Sequence, residues 1–456
     1  MFEVNTAALL IISLVVLVAI GVHIAVALGI TSALGIFLVT GADANAFHTV
    51  QAMLAATAYE AIRAYIFAVI PLFMLMGEFI GKSGCVTDVY RGINRLLHRL
   101  PGRLAIATVL GNALFSFVTG VSIASAAAFS RIAYPEMKRH GYDKGFALGA
   151  IAGSSCLGML IPPSVLMIVW GILTEQSIGQ LFAAGVLPGL LLAAMFVIYI
   201  FGYALLRPAI VGAGKGSEPT DADGDAAAAD DEEDVSTVQF LISFGGIVLV
   251  VVAVLGGIWF GIFTPTEGAG AGALIALALG IIKGMRFRDV IDSILSVGKT
   301  SAPILLLLVT AALYSRTLAM TGMANAIESL FLGSGMEPWM IIAVMVLVWF
   351  LLGMIVDSIS IMLLTAAIFA PIAVNIGFDP IAFAIVAIIA IEAGLYTPPF
   401  GLLVFTVKAA VQEIDPDINV MTIFKSSTPY WIIMLIAMVF IIEFPQIATY
   451  LPSKLF

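Results

Sequence analysis

Apolar runs recur along the whole chain, several of them near the roughly 20 residues that cross a bilayer as helix. Clear examples lie at 7–27, 61–80, 181–206, 240–260, 269–282, 339–355 and 431–442. Lipid offers no water to satisfy backbone N–H and C=O groups, so continuous apolar backbone there must be helical. The pattern predicts an all-α polytopic membrane protein. Shorter stretches at 86–97 and 323–332 differ. In the first, Val86, Val89, Ile93, Leu96 and Leu97 recur at helical spacing with Arg91 and Arg95 opposite, which reads as an interfacial helix. Because an apolar face matches these arginines, they do not read as a nucleic-acid patch.

Composition agrees. Of 456 residues, 61% are hydrophobic and 11% charged, against about 25% charged in ordinary soluble domains, which excludes a soluble globule. Met1-Phe2-Glu3 lacks the basic region of a signal peptide, so the first run is expected to be a retained span. Cys85 and Cys156 fall in different segments with no metal spacing and read as two reduced thiols. The scattered histidines and the absence of HExxH, P-loop or GxSxG patterns leave no enzyme constellation and no ATP hydrolysis by this chain.

The net charge of −9 is local. Between Glu218 and Asp234 lie nine acidic residues and no basic ones, and the rest of the chain balances at 20 against 20. With its Gly and Ala, the segment 208–237 is expected to be a disordered acidic linker dividing the chain into 1–207 and 238–456. A Ca²⁺ loop at Asp221, Asp223 and Asp225 does not fit, because its glycine comes early and no bidentate Glu follows.

The two parts match at an offset of 398 − 162 = 236 residues. Ser122 then falls on Ser358, Pro135 on Pro371, Asp143 on Asp379, Gly158 on Gly394 and Pro162-Pro163 on Pro398-Pro399. Nine Lys/Arg lie between Lys82 and Lys144, and none in the matching stretch 318–380. By the positive-inside rule the first stretch is cytoplasmic and the second is on the opposite side. Matching segments of opposite sidedness make an inverted repeat, a recurrent architecture of secondary transporters. Arg103 and Arg131 enclose an apolar stretch whose two charged ends favour the same face, so 104–130 is expected to form a re-entrant hairpin turning near 117–122. Its partner, about 339–370, should enter from the far side and turn near 353–360. Both termini and about ten full crossings follow from the same tracing, the termini periplasmic and the linker cytoplasmic.

Four breaks interrupt apolar surroundings: 119–125, Gly158 to Ser164, 353–360 and Glu392 to Pro399. Each proline pair removes N–H groups and clashes with earlier carbonyls. The freed carbonyls can bind Na⁺, with half-helix N-termini facing an anionic substrate, or be satisfied by neighbouring Ser or Thr in a structural kink. Paired breaks beside Ser/Thr-bearing hairpins favour the ion site. Asp357 and Glu392 are intramembrane carboxylates and functional candidates by default. Asp357 could complete a cation site or carry a proton; its mate in the first half is Val121. Glu267 reads as a helix cap, and Arg316 could pair with a carboxylate or snorkel.

These motifs carry a family resemblance. Arg131 to Asp143 (RIAYPEMKRHGYD), Leu157 to Ser164 (LGMLIPPS), Leu181 to Gly189 (LFAAGVLPG), Phe263 to Glu267 (FTPTE) and Gly394 to Leu402 (GLYTPPFGL) together resemble the large membrane subunit of tripartite ATP-independent periplasmic (TRAP) transporters of the bacterial inner membrane. The resemblance implies an ion-transporter-superfamily elevator with two re-entrant hairpins. It implies Na⁺-driven uptake of small organic acids, of C4-dicarboxylate or sugar-acid type, with no organic cofactor. A periplasmic binding protein would deliver the substrate and a small four-helix membrane subunit would extend the scaffold. No four extra spans precede the first repeat, so that subunit is expected as a separate chain. The resemblance places one Na⁺ site at Ser122 with carbonyls near Gly158 and Pro162. It places another at Asp357 and Ser358 with Gly394, Thr397 and Pro398, and substrate near Ser122, Ser125, Ser360 and Thr397. Family members often carry Pro-Thr after the hairpin-tip aspartate, where this chain has Ser358-Ile359. A stand-alone Na⁺- or H⁺-coupled carboxylate carrier of the same superfamily is the alternative.

Overall fold

A computed structural model describes residues 2–212, 236–333 and 335–456, and all of its regular structure is helical. The first half runs α1 Phe2–Ala19, α2 Ile24–Val39, α3 Ala44–Arg63, α4 Val69–Lys82, α5 Cys85–Leu96, α6 Arg103–Thr119, α7 Ser122–Arg139, α8 Lys144–Ser155, the single turn α9 Leu157–Leu160, α10 Val165–Thr174 and α11 Ile178–Leu206. The second runs α12 Thr237–Val251, a π-turn, α13 Gly257–Trp259, α14 Pro265–Ile282, α15 Phe287–Met320, α16 Met323–Leu332, α17 Pro338–Gly353, α18 Ser358–Asn375, α19 Pro380–Gly394, α20 Leu402–Val411, α21 Val420–Glu443 and α22 Gln446–Leu455. Eight helical segments among the described residues are long and apolar enough to cross a bilayer.

Local chemistry sets the boundaries. Prolines open α14, α17 and α19 within their first turn, where the missing N–H costs nothing. Thr264 and Glu267 form a reciprocal capping box at α14, the role expected of Glu267. Two expected spans are cut. The run 7–27 is divided at Gly21, whose φ is +86°, and His23 caps α2. The run 61–80 is divided at Ala64 by a 3₁₀ turn, which puts Pro71 in the first turn of α4. His23 marks the first break, and Glu60 and Arg63 mark the second.

The two hairpins are α6–α7 and α17–α18. The 17 residues of α6 span about 26 Å at 1.5 Å per residue, short of the roughly 30 Å hydrocarbon core. Both bounds of α18 lie 236 residues beyond those of α7, and the start of α19 lies 236 beyond that of α8. Asp143 and Asp379, mates at this offset, both cap their helices, accepting from the N–H of Phe146 and of Ile381 and Ala382.

Packing follows the same exchange. α4 packs on α14 and α2 on α15; α7 on α20 and α18 on α10; α8 on α21 and α19 on α11; α5 on α12 and α16 on α1. Swapping the halves turns each contact into its partner contact. At the centre, every residue of α19 from Ala382 to Gly394 is buried, as is every residue of α8 from Phe146 to Ser155. A helix apolar on all faces belongs in such a position.

α5 buries Val86, Val89, Tyr90 and Ile93 and leaves Leu96 exposed. Its Asp88 accepts from Ser243 Oγ at 2.6 Å and pairs with Lys283 at 2.5 Å, so this helix lies on protein. Arg316 pairs with Glu60 and donates to Thr57 Oγ1, tying α15 to α3. Of the expected linker, residues 208–212 dock on the turn after α7, where the Asp143 amide donates to the Ile210 carbonyl at 2.8 Å. Residues 213–235 lie outside the described residues, and at the expected end of the linker Ser236 already caps α12.

An ion cluster of one buried carboxylate and two half-exposed lysines joins the halves at the basic end of the first hairpin. Asp415, in the loop between α20 and α21, is 4% exposed and receives Lys144 at 2.7 Å, Tyr134 Oη at 3.0 Å and Lys138 at 3.5 Å. The Lys144 contact, first of these, holds its carboxyl below the ordinary aspartate range. A depressed carboxylate stabilises the fold above its unfolded value of about 3.9 and loses that contribution as pH falls through the folded one. Asp415→Asn should therefore lower the melting temperature in detergent by a few degrees at pH 7. The gap should stay constant down to about pH 4 and close below it; a gap independent of pH would remove this role.

Candidate functional site

Each hairpin tip is seated on one broken helix. At the first tip α6 ends at Gly120, whose φ of +63° turns the chain, and α7 starts at Ser122. The Val165 amide donates to the Gly120 carbonyl at 3.1 Å. On the other side Gly158 faces the same tip: a Cβ there would come within 2.9 Å of Val121 O and Ser125 Oγ and 3.0 Å of Ser122 N. Only glycine permits that approach. The Pro162-Pro163 bond is cis, and Ser164 donates to the Met159 carbonyl at 2.5 Å while capping α10.

The second tip repeats the plan with different chemistry. Gly353, ending α17, lies against Gly394 so closely that a Cβ on either would be 2.7 Å from the other's Cα. The Phe400 amide donates to the Met354 carbonyl. Asp357 caps α18, accepting from the Ser360 amide at 3.0 Å. Pro398-Pro399 is also cis. The Gly394 carbonyl receives both the Thr397 hydroxyl, at 2.7 Å, and its amide, at 3.1 Å. Ser and Thr thus satisfy one carbonyl at each break, Met159 at the first and Gly394 at the second.

The sequence-derived residues gather as two half-sites. Ser122, Ser125, Gly158 and Pro162 are buried together at the first; Asp357, Ser358, Ser360, Gly394 and Thr397 lie at the second, with Pro398 exposed. Glu392 joins them. It is 1% exposed, and its Oε1 accepts from Ser358 Oγ at 2.6 Å. Ser122 Oγ sits beside the same carboxylate, outside good hydrogen-bond geometry: Ser122 Oγ, Ser125 Oγ and Glu392 Oε2 have no hydrogen-bond partner. Beside Glu392 lie Cys156 and Tyr396, and the Tyr396 hydroxyl meets Ser155 Oγ at 3.3 Å. Sequence reading named Glu392 as an intramembrane carboxylate but placed it in neither ion site. The offset offered the missing signal, since Glu392 is the mate of Cys156, beside Gly158.

Asn112 adds a further buried link, donating from Nδ2 to Ser154 Oγ at 2.6 Å and so fixing α6 on α8. Groups of three or more His, Cys, Asp or Glu able to hold a metal are absent among the described residues. Hydroxyls, carbonyls and single carboxylates are hard oxygen donors.

Bilayer-length helices around two broken helices, each cradling a re-entrant tip, define a multi-pass membrane protein of transporter architecture. A family profile described as "Tripartite ATP-independent periplasmic transporter, DctM component" matches residues 11–447. The C4-dicarboxylate TRAP transporter large permease protein DctM of Pseudomonas aeruginosa is 33% identical over 410 residues, covering 88% of this chain and 90% of that one. The ectoine TRAP large permease TeaC of Halomonas elongata is 30% identical (85% and 86% covered), and the sialic acid TRAP large permease SiaM of Vibrio cholerae 26% (84% and 85%). The YdaH transporter of Alcanivorax borkumensis shares the fold, with a TM-score of 0.61 at 13% identity, over 90% of this chain and 89% of that one. The chain belongs to the DctM family: it is the large permease subunit of a TRAP transporter, a multi-pass inner-membrane protein.

The two glycine contacts yield a direct test. Gly158→Ala and Gly394→Ala push a methyl group into backbone, an overpacking of about 1–3 kcal/mol. Each should lower thermal stability and abolish most uptake by the reconstituted transporter. Gly202→Ala, with nothing within 4 Å, should leave both unchanged. Wild-type uptake by either break variant would contradict the seating of the tips.

Proposed function

We propose that this permease imports a small carboxylate-bearing solute by Na⁺ symport, moving its hairpin-bearing domain as an elevator between two inverted halves. The observation that carries this reading is the pair of tip-and-break assemblies, each rich in buried oxygen atoms, meeting at Glu392. Na⁺ would bind at the first tip with Ser122 and carbonyls near Gly158 and Pro162. At the second it would use Asp357, Ser358, Thr397 and carbonyls near Gly394 and Pro398. Because the Gly394 carbonyl already accepts two bonds, side-chain oxygens carry more of the second site.

The substrate's place follows from the helix ends. α7 starts without a side-chain cap, whereas Asp357 occupies the N-terminus of α18. Open N–H groups and the helix dipole favour an anion, so the carboxylate belongs by Ser122 and Ser125, with Ser360 and Thr397 across from it. Relatives named for C4-dicarboxylates, ectoine and sialic acid share a carboxylate and little else. Motion is supported by left-handed glycines before each arm and hairpin: Gly84 and Gly102 in the first half, Gly322 and Gly335 in the second. The partners are a periplasmic binding protein that delivers the substrate and a separate small membrane subunit beside the scaffold. The inverted arrangement rests on the nine basic residues around the first hairpin and their absence from the second.

Three measurements examine this. Uptake by proteoliposomes should require all three components and a Na⁺ gradient, and uptake by the large subunit alone would favour the stand-alone carrier. Asp357→Asn keeps a good helix cap while removing charge, so it isolates the ionic role; it should raise the Na⁺ needed for half-maximal uptake at least tenfold. An unchanged Na⁺ response would strip Asp357 of that role. Single cysteines at the exposed His98 and Glu337 should react with impermeant reagents from opposite faces, while the buried Cys85 and Cys156 stay silent. Labelling from one face would refute the inversion.

A further inference from the structure

The boundary between the halves holds a carboxylate, Glu392, that the two ion sites described so far do not include. Exchange of the halves pairs Ser122 with Ser358, each the first residue of its hairpin's second helix. It pairs Glu392 with Cys156, so two serines face a single carboxylate. Ser358 takes Oε1 at 2.6 Å. Oε2 is left without a partner beside an equally unpartnered Ser122 Oγ, and Ser125 Oγ, one turn on, also lacks one. Glu392, Ser122 and Ser125 are at most 1% exposed. Buried polar atoms are ordinarily paired, and an unpaired carboxylate oxygen in a protein interior is costly. Glu392 Oε2 and the neighbouring Ser122 Oγ, with Ser125 Oγ one helical turn on, are buried oxygens without a partner and together call for a cation.

We propose that Glu392 is a ligand shared by both halves: Oε2, Ser122 Oγ and Ser125 Oγ bind one monovalent cation, while Oε1 holds the second tip through Ser358. Binding at the first tip then orders Glu392, and through Ser358 it sets the start of α18 where the second ion binds. The two cations therefore bind cooperatively. Loss of the Glu392 charge weakens the first site; loss of the Ser358 hydroxyl leaves that site and uncouples the second.

This inference rests on the Na⁺-coupled reading, and the experiment separates the two. The purified permease is titrated with NaCl against constant ionic strength made up with choline chloride, reading thermal stability, and uptake by the reconstituted three-part system is followed against Na⁺. Wild type should be stabilised by Na⁺ and show a Hill coefficient above 1. Glu392→Gln, which keeps the size and an acceptor for Ser358, should need at least tenfold more Na⁺ for half-stabilisation. Ser122→Ala should shift the same way by a smaller factor. Ser358→Ala, which also removes a ligand of the second site, should lower the Hill coefficient of uptake towards 1 and shift half-stabilisation by less than Glu392→Gln does. Wild type indifferent to Na⁺ in both assays overturns the Na⁺ reading and this inference with it. A Na⁺-responsive wild type matched in affinity and Hill coefficient by Glu392→Gln overturns the shared ligand alone. If Glu392→Gln does not fold, Ser122→Ala and Ser358→Ala decide, and wild-type behaviour in both overturns the proposal.

Discussion

Backbone that leaves the helix inside a membrane must be wrapped by other backbone, because lipid offers it nothing. Here the wrapping is done by glycine. Gly158 brings the first broken helix onto Val121, Ser122 and Ser125, and Gly394 brings the second onto Gly353. With no side chain between them, polar tip and polar break satisfy each other at contact distance. The surrounding helices then mainly pack: α8, α10 and α19 are largely apolar and buried, with Glu392 of α19 the exception in charge. The caps at Asp143, Ser164, Asp357 and Asp379 fix where each piece starts. Losing either glycine contact would expose several unsatisfied carbonyls at once.

Local punctuation made much of this legible in the sequence. Gly, Pro, Ser and Asp mark helix ends by their own backbone chemistry, so the hairpin turns, the bounds of α16 and the Thr264–Glu267 cap could be read without tertiary information. Breaks inside apolar runs were less legible. Gly21 and Ala64 sit at the edges of runs that read as continuous, although His23, Glu60 and Arg63 beside them are polar. Long-range partnership was hidden. Arg316 is only an isolated charge until α3 places Glu60 and Thr57 beside it. Glu392 is one of two intramembrane carboxylates until the fold shows it between the tips. Asp357, the more conspicuous in sequence because it sits at a tip, holds the amide of Ser360.

The repeat organises the packing but not the chemistry. Contacts obey the exchange of halves, while polar groups do not: Cys156 stands where the second half has Glu392, and Val121 where it has Asp357. Exposure breaks the symmetry too, with Pro162 and Pro163 buried but Pro398, Pro399 and Phe400 open. A two-fold scaffold that places one acid between two serines creates a single shared acceptor out of paired positions. That is economical in a medium where every additional buried charge is expensive.

The same sparing use of charge accounts for coupling on the proposed reading. The first half-site contributes no carboxylate of its own, so on this reading an anion at the open N-terminus of α7 shares the site with Glu392. At an effective dielectric near 20, two like charges within a few ångströms of each other repel by roughly 3 kcal/mol, about a hundredfold in affinity. A bare site therefore rejects the substrate that the helix N-terminus would otherwise attract. A cation between Oε2 and Ser122 removes that repulsion and reverses its sign at the anion. The substrate then binds well only after the ion, with no gate or moving side chain required. Ser358, held by the other oxygen of the same carboxylate, carries the state of the first tip to the second. On that reading, coupling follows from having one carboxylate where symmetry would have provided two.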